Sequence, residues 1–178
     1  YFATLMMLIA SLPFVLYVSV LASRFGPLFT NAQVRGYLIV LAASIGGLTL
    51  FRVFTDGVGL EPAFREALFN VTSIISGTGY ASADYQAWGA FAVMAFFLLG
   101  LIGGCAGSTS CSVKIFRYQI LLAAIGAQIR RLHSPRGIFI TRYEGRPVGE
   151  DVVSSVMSFF VLFMVTLGVL SVALAMTG

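Results

Sequence analysis

The chain has 178 residues, of which 58% are hydrophobic and 10% are charged, and its formal net charge is +4. A soluble domain of this size does not need so much apolar sequence to fill one core, so the composition excludes an ordinary soluble domain. We expect an all-α integral membrane protein. Because the chain opens on Tyr1, already inside an apolar run, we also expect it to carry no targeting segment and to be a piece of a longer protein.

Four apolar stretches follow one another, and three of them have the length of a single membrane span. A helix needs about 20 apolar residues to cross about 30 Å of hydrocarbon. Residues 1–23 form the first span, in which Pro13 predicts a kink. Residues 35–55 form the second span, and residues 151–178 form the last one.

Basic residues indicate the orientation of these spans, because cytoplasmic loops are rich in lysine and arginine. They cluster in and before the hydrophilic segment 133–150, and around the short loop after the first span. The residues are Arg130, Arg131, His133, Arg136, Arg142 and Arg146, with Arg24 and Arg35. We therefore predict that both loops are cytoplasmic and that residues 56–85 lie outside.

Acidic residues in that outer region allow two interpretations. They are Asp56, Glu61, Glu66 and Asp84. They could concentrate cations at an outer mouth, or they could form an ordinary solvated rim. The sequence does not decide between the two.

A short helix is predicted over residues 62–75, with Pro62 in its first turn. About 13 residues rising 1.5 Å each reach roughly 20 Å, too short to cross the membrane. The chain must therefore enter, stop part-way and return through the stretch 76–82, which reads SGTGYAS. Non-helical backbone is tolerated at membrane depth only where it is buried in protein or lines a watery cavity.

The next apolar stretch, residues 88–132, is too long for one straight span, since about 45 residues would reach nearly 70 Å. Its middle, residues 103–114, consists of small and polar residues with low helix propensity. We predict a broken helix whose halves are joined by an intramembrane loop.

The segment Gly77-Thr-Gly-Tyr80 is similar to the potassium-channel filter, in which backbone carbonyls replace the hydration shell of the ion. Glycine suits such a loop because aligned carbonyls need backbone angles that a Cβ disfavours. A four-residue match also leaves open a chance re-entrant turn.

Longer motifs extend this likeness along the chain. They are NVTSIISGTGYASADY (70–85), GGCAGSTSCSVKIFRYQ (103–119), LPFVLYV (12–18) and NAQVRGYL (31–38). Together with the order of outward helix, short helix, filter-like loop and broken inward helix, they resemble the Trk/Ktr/HKT superfamily of potassium transporters, most closely its bacterial TrkH branch. The resemblance covers essentially the whole chain.

The resemblance implies a fold in which four M1-P-M2 repeats of one polypeptide surround a single pore. Residues 1–23 would be the last helix of the preceding repeat, and residues 35–132 a complete repeat. Within it the pore helix would span 62–75, the filter 76–80 and the broken second helix 88–132. The segment 133–150 would be a cytoplasmic basic loop, and 151–178 the first helix of the next repeat. The chain would then hold one filter strand of four.

The resemblance also implies site residues. The filter carbonyls would come from Ser76, Gly77, Thr78, Gly79 and Tyr80, with potassium at Gly77 and Thr78. Ala81 stands where potassium channels have a second glycine. The gating loop would use Gly103, Gly104, Gly107, Ser108, Thr109, Ser110 and Lys114, and Cys111-Ser112 replaces a Gly-Gly pair found in many relatives. Lys114 would be an electrostatic barrier or a partner for loop carbonyls, unless it snorkels to the cytoplasmic face with Arg117.

As to function, the resemblance implies potassium as the transported ion, no covalently bound cofactor and a bacterial inner-membrane, multi-pass location. Its implied partners are a cytosolic nucleotide-binding regulatory ring of the TrkA type and a second copy in a homodimer. Channel-like flux and ion-coupled symport both remain open. Two alternatives are a non-transporting scaffold or sensor, and a membrane enzyme with a Ser or Cys nucleophile. The enzyme would need a base, and the one histidine, His133, lies in the basic loop, so we expect no enzyme.

Overall fold

A computed structural model describes residues 1–23, 26, 30–134 and 140–177. Of the residues named above, Arg24 and Arg136 lie outside these ranges, as does the last residue of the predicted span 151–178. The predicted helical membrane fold is confirmed, because the described part of the chain is mostly helical and two of its helices are long and apolar enough to cross a membrane. The chain divides into two compact units, Tyr1–Phe116 and Arg117–Gly178.

The helices are numbered here in chain order. They are α1 (Phe2–Ala10), α2 (Phe14–Leu21), α3 (Ala32–Asp56), α4 (Leu60–Ser76), α5 (Ala90–Gly100), α6 (Ile115–His133) and α7 (Glu150–Ala175). A 3₁₀ turn, Tyr85–Trp88, precedes α5. The loop between α6 and α7 forms a small antiparallel pair, β1 (Arg142–Tyr143) with β2 (Arg146–Pro147).

The first apolar stretch is broken and not merely kinked. Helices α1 and α2 meet at an angle of 99° around Ser11 to Pro13. Pro13 has extended backbone angles, φ −66° and ψ 125°, and caps the start of α2. Because proline lacks an N–H and disfavours helical geometry in the residue before it, the helix ends here and restarts in a new direction.

Helix α3 is a complete span with a defined start and end. The Asn31 side chain accepts hydrogen bonds from the backbone N–H groups of Gln33 at 2.9 Å and Val34 at 3.3 Å, which caps the helix. Gly57, at φ +64°, closes it in the left-handed conformation. One face is buried along its length, through Val34, Tyr37, Leu41, Ile45 and Leu48.

Helix α4 is short and lies among its neighbours in the first unit. It has 17 residues, which at 1.5 Å each span about 25 Å, less than the hydrocarbon thickness. It begins at Leu60, two residues before the predicted start, with Glu61 in its first turn. Ala63, Ala67 and Val71 are fully buried, and α1, α3 and α5 all pack against the helix.

The long third stretch contains two helices, α5 and α6. Residues 101–114 between them are not helical. In the second unit, Tyr118 of α6 packs edge-on against Phe160 of α7 at 5.1 Å between ring centroids. The Tyr143 hydroxyl of the β-pair donates to Gln119 Oε1 at 2.8 Å, which ties the loop to α6.

Candidate functional site

The candidate filter, residues 76–80, begins where α4 ends. Gly77 adopts the left-handed conformation, at φ +77°, and its N–H donates to the Ile74 carbonyl at 3.1 Å. The next two N–H groups turn back to one acceptor, the Ser73 carbonyl, from Thr78 at 3.0 Å and from Gly79 at 3.4 Å. A glycine C-cap therefore reverses the chain and directs it away from the helix.

The rest of the candidate filter is exposed. Ser76 is buried, whereas Gly77, Thr78, Gly79 and Tyr80 are exposed. The hydroxyls of Ser76 and Thr78 share a hydrogen bond of 2.7 Å. Within the part of the chain that the structure describes, no hydrogen-bond donor reaches the carbonyl oxygens of residues 77–80. These oxygens remain free to bind a cation in place of water.

Asn70 fastens the chain that leaves the filter, a role that sequence reasoning did not assign to it. The side chain is fully buried in α4. Its Oδ1 accepts hydrogen bonds from the Ser82 backbone N–H at 2.9 Å and from the Ser82 hydroxyl at 3.4 Å, and its Nδ2 donates to the Ala83 carbonyl at 3.5 Å. The only available signal was an amide within an otherwise largely apolar part of the predicted helix 62–75.

The candidate gating loop, residues 103–114, folds back on itself. Ile102 and Val113 form a parallel bridge, with the Gly103 N–H donating to the Val113 carbonyl at 2.8 Å. The Ile115 N–H donates to the Gly104 carbonyl at 3.1 Å. The loop is therefore held by backbone hydrogen bonds although it is not helical, as burial at membrane depth requires.

Two of the loop glycines are explained by close packing. A Cβ on Gly103 would collide with the Cys111 carbonyl oxygen, and a Cβ on Gly104 would collide with the Ser110 side chain and lie 2.8 Å from the Ser11 carbonyl oxygen. Gly107 differs, since it has open space around it and a φ of +73°. Of these three glycines, only Gly107 has backbone angles that favour glycine.

Hydroxyl groups of the loop satisfy backbone carbonyls. Ser108 donates to the Cys105 carbonyl at 2.7 Å, and Ser112 donates to the Gly100 carbonyl at 2.6 Å. Ser110 is buried, and its hydroxyl has no hydrogen-bond partner among the described residues. The hydroxyl groups of Ser108 and Ser112 thus replace helix hydrogen bonds that the break removes.

The loop is joined to the break between α1 and α2 by a set of hydrogen bonds that we call the latch. The Cys105 N–H donates to the Ser11 carbonyl at 3.1 Å, and Thr109 donates to the Ala10 carbonyl through its N–H at 3.2 Å and its hydroxyl at 3.0 Å. In return, the Phe14 N–H donates to the Gly107 carbonyl at 3.0 Å. Each break supplies the partners that the other lacks.

Gln33, in the first turn of α3, adds a side chain to the latch. Its Oε1 accepts a hydrogen bond from the Ala106 N–H at 2.9 Å. The loop is therefore fixed to two preceding helices as well as to its own flanks.

The candidate filter and the candidate gating loop touch each other. A Cβ built on Gly77 would lie 3.1 Å from Cys111 Cβ and 3.2 Å from the Cys111 backbone nitrogen. The first residue after α4 thus lies directly against the loop, and any side chain at position 77 would press on it.

Lys114 points to the loop and not away from it. Its Nζ donates to the Ser110 carbonyl and, at 3.4 Å, to the Ser108 carbonyl. Of the roles considered for this residue, these contacts favour the partner for loop carbonyls over the snorkelling side chain.

The outer acids are mostly engaged in local contacts. Arg52 of α3 pairs with Asp56 at 2.5 Å and with Glu66 of α4 at 2.9 Å, and its guanidinium lies 4.4 Å from the Trp88 ring centroid. Asp84 caps the 3₁₀ turn by accepting from the Gln86 N–H at 3.0 Å. These contacts favour a structural rim over a cation-concentrating mouth.

Comparison with known proteins gives a consistent result. The family model TrkH, described as a cation transport protein, matches residues 3–178. The Trk system potassium uptake protein TrkI of Halomonas elongata is 40% identical over 98% of this chain and 35% of its own length. TrkG of Escherichia coli, also named a Trk system potassium uptake protein, is 29% identical over 83% of this chain and 30% of its own length.

The fold has a solved counterpart. The crystal structure of the potassium transporter TrkH from Vibrio parahaemolyticus matches with a TM-score of 0.91 over 98% of this chain and 38% of that chain. At 24% sequence identity this likeness shows the fold alone. The chain spans about a third of the length of the curated relatives named above.

Proposed function

Because the chain belongs to the TrkH family of cation transport proteins, we propose that it is part of the ion-conducting subunit of a potassium uptake system. The family and the named relatives point to a transporter and not to an enzyme. Potassium is then the transported ion, and the site needs no resident cofactor.

One observation supports this function above the others. The exposed residues 77–80 leave α4 with backbone carbonyls that accept no hydrogen bond from the described residues, and their first glycine lies against a non-helical loop. A dehydrated ion can bind carbonyls of Ser76, Gly77, Thr78, Gly79 and Tyr80, with Gly77 and Thr78 as the central ligands. The loop then lies next in the path of the ion.

The gating loop obstructs the path until it moves. Gly103, Gly104, Gly107, Ser108, Thr109 and Ser110 form its packed and turning parts, and Lys114 holds the carbonyls of Ser108 and Ser110. The ammonium group also repels a cation that approaches the loop. Movement of the loop must therefore release Lys114 together with the latch.

The rest of the protein follows from the repeat organisation proposed from the sequence. The chain supplies one filter strand of four, so the pore needs the other repeats. We place the protein in the bacterial inner membrane as a multi-pass subunit, with the basic loop 133–150 in the cytoplasm. That loop is the surface offered to a nucleotide-binding regulatory ring of the TrkA type, and two copies form a homodimer.

The test of the filter uses the intact protein in a cell that cannot import potassium. Rubidium uptake should be restored by the parent, and Gly79→Ser should lower the preference for rubidium over sodium. Gly57→Ser is the matched control, because Gly57 has a similar φ, +64° against +80°, and neither position has an atom within 4 Å of a Cβ. An uptake-deficient parent would contradict transport and favour a scaffold or sensor; equal effects of both variants would contradict the filter.

The test of the gate shortens residues 105–111. Removing these residues takes away both the obstruction and the latch, so we expect higher rubidium flux per molecule of protein. Flux equal to that of the parent would contradict the gate.

A further inference from the structure

Asn70 is a fully buried amide in the interior of α4. Burying an amide without partners is costly, so such a group is retained where its hydrogen bonds are made. The partners of this amide lie 12 and 13 residues further along the chain, at Ser82 and Ala83. It therefore connects the pore helix to the chain that leaves the filter.

The filter is fastened to α4 at both ends. At the inner end, the Ser73 carbonyl accepts from the N–H groups of Thr78 and Gly79. At the outer end, Asn70 holds Ser82 and Ala83. Asn70 and Ser73 are three residues apart, so both anchors lie on one face of the helix. The two anchoring residues are separated by about one helical turn, so the backbone between Gly79 and Ser82 is fixed at both ends to the same helix.

The stretch between the anchors contains the outer filter carbonyls. Tyr80 is 72% exposed, so packing of its own side chain does little to fix it. Ala81, which stands where potassium channels have a second glycine, is exposed as well, so packing of its methyl group does little to fix the backbone. The position of these carbonyls thus depends on the anchor at Asn70.

We propose that Asn70 is a positioning residue that determines selectivity: by holding Ser82 and Ala83 it keeps the outer filter carbonyls at the spacing that suits a dehydrated potassium ion. The inference rests on the proposed transport function. When the anchor is lost, the carbonyls can close around a smaller ion, so sodium is discriminated against less well.

The experiment compares Asn70→Leu with Thr72→Val in the intact protein. Leucine keeps the branched arrangement of four side-chain heavy atoms that Asn70 has and removes its hydrogen bonds. Thr72 is as fully buried in the same helix, but its hydroxyl donates to the Leu68 carbonyl of that helix, at 2.7 Å, and makes no bond to the filter. We expect Asn70→Leu to lower the rubidium-over-sodium uptake ratio several-fold, up to about tenfold where the whole free energy of one lost hydrogen bond bears on the difference between the two ions, and Thr72→Val to leave the ratio unchanged.

The ratio separates positioning from a structural role, since a poorly folded protein loses both fluxes together. An unchanged ratio in Asn70→Leu, at any flux, overturns the inference. If that variant does not fold, Ser82→Ala decides: it removes the weaker 3.4 Å hydroxyl contact, so a smaller fall in the ratio is expected and no fall overturns the inference. If the parent takes up rubidium but the ratio is unchanged in Asn70→Leu and in Ser82→Ala, the role of Asn70 is rejected and the proposed function stands. If the parent takes up no rubidium, the proposed function is rejected.

Discussion

Ser112 is held in the left-handed backbone region, at φ +60°, within the candidate gating loop. For a residue with a Cβ this conformation costs about 1–2 kcal/mol. The cost is offset in part by its hydroxyl, which donates to the Gly100 carbonyl at 2.6 Å. Ser112 therefore introduces strain into the candidate gating loop, which moves in the proposed function.

This strain can be measured with two variants of Ser112. Ser112→Ala and Ser112→Gly lose the same hydrogen bond, but only the glycine relieves the backbone. We expect the glycine variant to be the more stable of the two by about 1 kcal/mol, after its greater freedom in the unfolded chain is allowed for. Thermal unfolding of the intact protein in detergent gives the comparison. An alanine variant of equal or higher stability would show that residue 112 is not held in the left-handed region.

At the scale of secondary-structure elements, two helix breaks satisfy one another. The α1–α2 break leaves carbonyls at Ala10 and Ser11 and an N–H at Phe14 without helical partners, and the gating loop supplies all three. Free polar backbone at membrane depth is costly, so neither break is stable without the other. In the proposed function, movement of the candidate gating loop is therefore coupled to the preceding helix pair.

Gln33→Leu tests this coupling. The change removes the acceptor of the Ala106 N–H and leaves a half-buried donor unpaired, which destabilises the closed loop by about 1–3 kcal/mol. We expect rubidium uptake per molecule to rise several-fold. Gln128→Leu is the control, because Gln128 is an exposed glutamine of α6 in the second unit. Lower uptake by Gln33→Leu, at equal protein and with an unchanged control, would show that the latch supports the open path instead.

How far the sequence predicts these elements depends on the range of the interactions. The short helix α4 and the break between α5 and α6 follow from segment length and small-residue content, which are local. The latch does not, because Gln33 and Ala106 are 73 residues apart and Thr109 and Ala10 are 99 residues apart. The ion pair between Arg52 and Glu66 is not predicted either, because the sequence alone does not show a partner for the Glu66 carboxylate. Nor does the sequence show why Gly103 and Gly104 are glycines, because the contacts with Cys111, Ser110 and Ser11 that require them are formed only by the folded loop.

At the scale of the whole molecule, the chain can form only part of the wall of the proposed pore. It spans about a third of its named relatives, and α7 is almost wholly exposed along its apolar length. One filter strand cannot surround an ion. Residues of this chain are sufficient to test its direction through the membrane, because the uneven distribution of its charges predicts that direction.

The orientation predicts opposite labelling of two positions. In the intact protein with Cys105→Ala and Cys111→Ser, a cysteine at Glu61 should react with an impermeant thiol reagent in whole cells. A cysteine at Arg146 should react only after the membrane is opened. Both side chains are exposed, so accessibility differs only by side. In the proposed orientation, the basic residues of the α6–α7 loop hold that loop in the cytoplasm, whereas α4 starts outside. Labelling of Arg146 alone in whole cells would reverse the assignment and place the filter entrance on the cytoplasmic side, whereas labelling of both positions would contradict their placement on opposite sides.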